Sequence, residues 1–369
     1  MSASPRMFWL LLLWIGVSFN SVVGAETNLV LTEHRAVVPH RLLALLHAPE
    51  VHEELGLDPA NVAKLEEFFG EIDGPWFQAR ILPPEKQATV LDQLETKVRG
   101  WLKEHFNSDQ NRRIVQLEWQ ALAMRMMLRQ DVVRLLKITP EQQQEFFSLA
   151  QETDKLQTEL ATLARSGKQD ETKTAALKAA LQKEVDAVKR ILSETQLRSL
   201  AKGLGETFPT QNLKRIYPMA PEFGGSGSWL NSQPLTMQSL RGKVVLVHFY
   251  AFQCHNCIAN FDVYRRWHDS LREKGVVVLG IQTPETPSER DPVQIEKAAE
   301  ERKLTFPIFM DLKSESWKAW GNTMWPTVYV VDKRGYIRHW WQGELRWQGA
   351  TGDKTIENVV NEALAEQVP

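Results

Sequence analysis

A chain of 369 residues, 43% hydrophobic and 24% charged, is long enough for two packed domains and is not compositionally disordered. Its 44 basic and 46 acidic side chains leave a formal net charge of -2, which excludes an electrostatic case for nucleic acid or an anionic membrane surface as partner. The only two cysteines stand three apart as Cys254-His255-Asn256-Cys257; a pair closing almost no loop does little for stability, so chemistry is the better reason for it.

Residues 1–25 place Arg6 before an apolar run from Met7 to Val17, followed by small residues ending in Val23-Gly24-Ala25. This order predicts a secretory signal cleaved after Ala25, and hence an extracytoplasmic (periplasmic or secreted) protein. The run falls short of the about 20 apolar residues a membrane helix needs, which leaves an uncleaved signal anchor as the one membrane attachment to consider.

Residues 26–205 read as an all-α helical bundle domain. Ile114, Leu117, Ala121, Met124, Leu128, Val132 and Leu135 step by three and four, as an apolar face along a helix does. Phe146, Leu149, Leu156, Leu160 and Leu163 predict a second helix, and Leu177, Leu181, Val185, Val188 and Leu192 a third, after a polar break at Ser166-Gly167-Lys168. Thr139-Pro140-Glu141-Gln142 and Ser193-Glu194-Thr195-Gln196 both have the form of a capping box, with a looser start at Asp58-Pro59. These recurring starts resemble the Leu-Thr-x-x-Gln motif of Spy-like and CpxP-like helical envelope proteins, which implies a cradle for partner proteins; an ordinary bundle needs the same caps.

Residues 206–227 are rich in turn formers, including Pro209, Pro218, Pro221 and Gly224-Gly225-Ser226-Gly227, and predict a linker or lead-in. From 228 to 369 strands and helices alternate. Strands are expected at Lys243 to Tyr250, Val276 to Gln282, Pro307 to Met310, Thr327 to Asp332 and Tyr336 to Trp341. Helices are expected after the cysteines (Phe261, Tyr264, Trp267, Leu271), near Val293 to Arg302 and from Thr355 to Ala365. The pattern predicts an α/β fold, a central mixed sheet flanked by helices.

A strand ending just before Cys-x-x-Cys and a helix opening at it put Cys254 at a helix N-terminus, where free amides favour thiolate over thiol. Cys254 is the expected nucleophile and Cys257, one turn on, the resolving thiol. His255, between them, either lowers the thiol pKa further when protonated or is a solvated first-turn residue. Zinc needs more ligands than two cysteines supply, and haem attachment needs a His where Ile258 stands, so no metal and no cofactor are expected.

Ala220-Pro221-Glu222-Phe223, Trp229-Leu230-Asn231, Leu235-Thr236, Leu240-Arg241-Gly242-Lys243 with the strand that follows, the Cys-x-x-Cys, and Gly321-Asn322 ahead of Trp325-Pro326-Thr327 resemble the TlpA/ResA branch of the thioredoxin superfamily, its DipZ-like domains above all. The resemblance spans Pro218 to Glu366. It implies a thioredoxin-like fold, thiol-disulfide exchange with protein substrates, a reducing direction fed by a membrane electron donor, a cis Pro326 facing the cysteines as part of the catalytic site, and substrate-binding positions at Trp325 and Thr327. Three residues depart from the family pattern: His248 stands where a buried Asp serves proton transfer, Asn260 where many members carry a Glu, and Gln253 where a Trp is usual. His248 is therefore either a proton-transfer and pKa-tuning group or a satisfied buried histidine. Ala251 occupies the place of the Thr that peroxide chemistry requires, which argues against a peroxidase. Trp340, Trp341 and Trp347, with His339, are expected mainly in the core. A binding protein whose helical domain captures clients, with the redox fold secondary, is the alternative reading.

Overall fold

The computed structural model describes residues 37–165, 170–210, 213, 218–225 and 227–367; the expected signal, 1–25, and parts of the expected linker lie outside them. The chain divides into two compact units, one within Met1–Leu57 and Leu82–Lys214, the other within Asp58–Ile81 and Arg215–Pro369.

In chain order the helices of the first half are α1 (Leu42–Leu46), α2 (Pro49–Glu54), α3 (Pro59–Ala79), α4 (Pro84–His105), α5 (Ser108–Leu122), α6 (Gln130–Leu136), α7 (Pro140–Arg165), α8 (Glu171–Ile191) and α9 (Glu194–Leu204). All but α3 belong to the first unit. The stripe from Ile114 to Leu135 is not one helix: α5 stops at Leu122, Ala123 takes a left-handed φ of 50°, and Ala123–Leu128 winds as a 3-10 helix before α6. That tighter turn buries Met124, Met126, Met127 and Leu128 together against Phe146, Ala150 and Ala187, while Leu135 is exposed. The third stripe is rotated. The buried face of α8 is Leu177, Ala180, Glu184 and Ala187, leaving Leu181 and Val185 exposed. Arg125 supplies the reason, since its guanidinium pairs with Glu184 at 3.0 Å and with Asp154 on α7 at 2.7 Å, so the charged side chain must face inward.

Both capping boxes form. Gln142 N–H donates to the Thr139 hydroxyl at 3.3 Å, Gln196 N–H donates to the Ser193 hydroxyl at 3.3 Å, and each Gln side chain accepts from its cap residue's N–H. The two Gln amides also bond reciprocally, at 3.0 and 2.9 Å, tying the start of α7 to the start of α9.

The second unit holds β1 (Trp229–Leu230), β2 (Val244–Tyr250), α10 (His255–Ile258), α11 (Phe261–Leu271), β3 (Val276–Gln282), α12 (Pro292–Glu301), β4 (Ile308–Met310), α13 (Glu315–Ala319), β5 (Thr327–Val331), β6 (Ile337–Gln342) and α14 (Gly352–Ala365). They form a six-stranded sheet ordered β1-β4-β3-β2-β5-β6, parallel through β4-β3-β2 and antiparallel at its other pairings. Every residue of β2 is buried, as a central strand covered on both faces requires. Alternation sends Val244, Leu246 and Tyr250 to one face with α11 and α14, and Val245, Val247 and Phe249 to the other. The short β1 and the single-turn α13 are elements that periodicity alone does not reveal.

Helix α3, inside the span expected to be helical domain, is part of this second unit. Phe77 joins the cluster of Val245, Val247, Phe249 and Tyr329 on the second sheet face. Arg80, just past the helix, donates to the carbonyls of Phe77, Trp320 and Gly321 and to the Tyr329 hydroxyl, at 2.6 to 3.1 Å. Glu66 pairs with Arg334, and Asp73 accepts from Met219 N–H at 2.8 Å. A helix about 140 residues upstream thus completes a face of the sheet, because a half-covered sheet leaves apolar surface in water.

Candidate active site

Strand β2 ends at Tyr250, and the turn 251–254 delivers Cys254 as the N-cap of α10. Cys254 N–H donates back to Ala251 O at 3.2 Å, and Cys257 and Ile258 N–H donate to Cys254 O at 3.1 Å, so the motif opens the helix it was expected to open. Both thiols are free; Cys254 is half-buried and Cys257 is 0% exposed.

Their environments split the pair. The Cys257 thiol donates to the Cys254 sulfur, and the Cys257 and Asn256 amides add to it; against burial and the Glu285 carboxylate, these bring the Cys254 thiol down to about 7. Burial pushes the Cys257 thiol far above its ordinary range, and donation to Cys254 pushes it further. One sulfur is poised to ionise near neutral pH while its neighbour holds its proton. His255 is exposed in the first turn.

The core around Cys257 is aromatic. Tyr250 and Tyr264 are fully buried in the core cluster that contains Cys257, and burial followed by the nearby Cys257 sulfur raises both phenols. His248, 0% exposed, stacks on Tyr264 at 4.0 Å and 19° and meets Phe306 edge-on at 5.0 Å. Neither of its ring nitrogens has a hydrogen-bond partner among the described residues, and burial alone drives it down to about 3. Gly280, its register partner on β3, makes the room: a Cβ there would lie 3.0 Å from Tyr250 and Phe306 and 3.2 Å from His248 Nε2.

The Trp325-Pro326 peptide is cis, and Trp325 packs with Cys254 against the same core cluster. Its indole N–H donates to Thr283 O at 3.2 Å, and its ring stacks on Trp317 at 3.9 Å. Thr327 is buried, and its hydroxyl donates to Met324 O at 2.8 Å, closing the turn. Asn260 is a clamp: it accepts from Leu345 N–H at 2.9 Å and donates to Gly343 O at 3.2 Å, holding the segment after β6 against α11.

Sequence reasoning missed Glu289, a fully buried carboxylate that accepts from the N–H groups of Gln253, Glu285 and Thr286 at 2.8, 2.8 and 2.9 Å. Thr286-Pro287-Ser288-Glu289 has the spacing of a capping box, which was the signal available for it. Nothing in the sequence marks its bond to the residue before Cys254.

Residues 216–340 match the AhpC/TSA family. Protein DipZ of Mycobacterium tuberculosis is 33% identical over 154 residues, 41% of this chain and 21% of that protein, so the chain spans about a fifth of the length of this relative. The thiol-disulfide oxidoreductase YkuV of Bacillus subtilis is 32% identical over 154 residues, 42% of this chain and 99% of that protein. The thiol-disulfide oxidoreductase ResA of Geobacillus thermodenitrificans is 28% identical over 119 residues, 32% of this chain and 64% of that protein. With 99% of YkuV covered at 32% identity and residues 216–340 matched, the chain belongs, through its C-terminal part, to the thioredoxin-like thiol-disulfide oxidoreductases of the AhpC/TSA family.

Proposed function

We propose that the chain works in an extracytoplasmic compartment as a reductant of protein disulfides, with Cys254 as nucleophile and Cys257 as resolving thiol. The observation that carries this reading is the split between the two sulfurs: one reachable and lowered to about 7, the other sealed and raised. The Cys254 thiolate attacks one sulfur of a substrate disulfide, the S–S bond breaks, and the first substrate thiolate leaves. Cys257 then attacks Cys254 in the mixed disulfide, expelling the second substrate thiolate; the substrate gains two electrons and the protein is left as a Cys254-Cys257 disulfide. The Cys257 proton leaves to solvent as its sulfur attacks; His248, neutral and lowered to about 3, is too weak a base to hold it. Pro326 and the Trp325 backbone flank the attacked bond.

A Cys254 thiol near 7 supports the reducing direction, because thiolates stabilised to about 3.5 make oxidants and those near 7 make reductants. A dithiol donor must then return two electrons to the pair, and a membrane protein is the donor class that fits the compartment. The compartment itself rests on the basic, apolar and small-residue order of residues 1–25. Among the described residues no helix is long and apolar enough to cross a membrane.

The experiment mixes reduced full-length protein with a protein disulfide and follows thiol release. Wild type should turn over and Cys254→Ser should not; equal behaviour of the two sinks the proposal. A second reading is client capture by the helical unit, on whose helix α8 Leu181 and Val185 are exposed one turn apart. Under that reading Cys254→Ser keeps full client binding and wild type shows no turnover.

A further inference from the structure

We infer that Glu289 is a positioning residue for the redox pair: it ties the chain entering Cys254 to the backbone of the loop that carries Glu285, and so fixes that loop against the turn of the nucleophilic sulfur. The inference rests on the redox reading above and concerns a loop that reading does not use.

A carboxylate with no exposure to water must find donors inside the protein. Glu289 finds them on two separate loops. One oxygen takes the Gln253 N–H at 2.8 Å, immediately before Cys254; the other takes the Glu285 and Thr286 N–H groups at 2.8 and 2.9 Å. Glu289 is itself fixed, since Gln282 at the end of β3 donates its side-chain amide to Glu289 O at 3.2 Å. Gln253, which stands where the family usually has a Trp, repeats the tie from outside: its side-chain oxygen accepts from the Thr286 and Ser288 hydroxyls, both at 3.0 Å. The turn 251–254 is thereby locked between the Cys254 to Ala251 hydrogen bond on one side and Glu289 on the other. Both loops lie at the carboxyl ends of neighbouring parallel strands, β2 and β3, where α/β sheets place their sites.

The consequence is electrostatic as well as geometric. The groups acting on Cys254 from its own turn are the Cys257 thiol and the Cys257 and Asn256 amides, all favouring the thiolate; His255 is exposed on that turn. From the facing loop comes the Glu285 carboxylate, which disfavours it. Across the site, Trp325 and Pro326 bring no charge. Glu289 therefore restrains the thiolate by fixing the loop that carries Glu285, which keeps the pair toward the reducing end.

The test uses full-length Glu289→Gln, which keeps the shape but turns an amide NH2 toward backbone donors and removes a charge. Iodoacetamide labelling of Cys254 against pH should reach half-maximum at lower pH than in wild type, by about half a unit or more, and the equilibrium with glutathione disulfide should move toward a more oxidising pair. Glu285→Gln, an exposed change, should move both in the same direction. Should Glu289→Gln not fold, Gln253→Ala, which cuts only the outer tie, takes its place, with a smaller shift of the same sign. A profile and equilibrium matching wild type in Glu285→Gln, or in the Glu289 or Gln253 variant, overturns the inference. Loss of the redox reading itself shows separately, as absence of wild-type turnover.

Discussion

The buried ionisable groups of the helical unit and those around Cys257 in the sheet unit are handled in opposite ways. In the helical unit they are paired: Glu118, 2% exposed, receives Arg99 at 2.8 Å and Arg129 at 2.6 Å, and Arg125 joins Asp154 to Glu184. In the sheet unit the groups around Cys257 have no opposite charge at all; His248, Tyr250 and Tyr264 face one another and a buried thiol. Paired interior charges fix which faces of helices meet, as Arg125 does in turning Glu184 inward. Unpaired titratable groups displaced by burial are a property of sites where protons move. Charge content alone would rank the helical unit first; charge satisfaction points to the sheet unit.

The largest expected effect breaks the sheet side of this comparison: Cys254→Ser should lower disulfide turnover roughly a thousandfold or more, a hydroxyl being a far poorer nucleophile than a thiolate, with the urea midpoint unchanged. Next comes the helical side. Glu118→Ala removes the buried carboxylate shared by two half-buried arginines, each of which keeps a second partner in Glu95 or Asp131, and should cost about 1 to 3 kcal/mol in urea unfolding, while Cys254 alkylation in the folded protein keeps its rate. Unchanged stability there would mean that the pairs are not structural.

His248→Phe sharpens the contrast through pH. The unfolded chain protonates His248 below its ordinary 6.5, whereas the folded chain does so only near 3. The folded state therefore binds fewer protons between those values, and the stability contributed is complete above 6.5 and lost as pH falls toward 3, at up to about 1.4 kcal/mol per unit. The Phe variant should lack that slope and, because an imidazole lowered to about 3 is too weak a base to take the Cys257 proton, should resolve mixed disulfides at a rate close to wild type in stopped-flow quenching. Identical slopes for the two proteins would contradict the neutral, unpartnered imidazole. The smallest effect belongs to Leu181→Ser with Val185→Ser, exposed changes that should alter the urea unfolding free energy by no more than about 0.5 kcal/mol each and leave turnover intact.

Much of the sheet unit is legible in its sequence because its strands are continuous apolar runs bounded by Gly and Pro: Val276 to Gln282 is both the expected and the observed β3. The redox turn is legible because Cys-x-x-Cys follows such a run directly. The helical unit is less so. Periodicity cannot register a 3-10 turn such as Ala123–Leu128, and it assigns Glu184 to solvent because no local rule foresees Arg125 sixty residues upstream in a shared interior. Helix α3 carries ordinary amphipathic spacing, and only the tertiary contacts of Phe77 and Arg80 show that it completes the sheet. At the site, His248 is visible as a departure, but its stacking on Tyr264 and the Gly280 opposite it belong to strand register, and the Glu289 tie belongs to two loops distant in sequence.

The most direct measurement is the pH profile of thiol alkylation in the reduced, folded protein, read by mass at each cysteine. Cys254 should label with a half-maximum near pH 7 while Cys257 stays unmodified until the chain is unfolded. Equal labelling of the two sulfurs, or a Cys254 that labels only in the ordinary range of a free thiol, would contradict the partition on which the redox assignment depends.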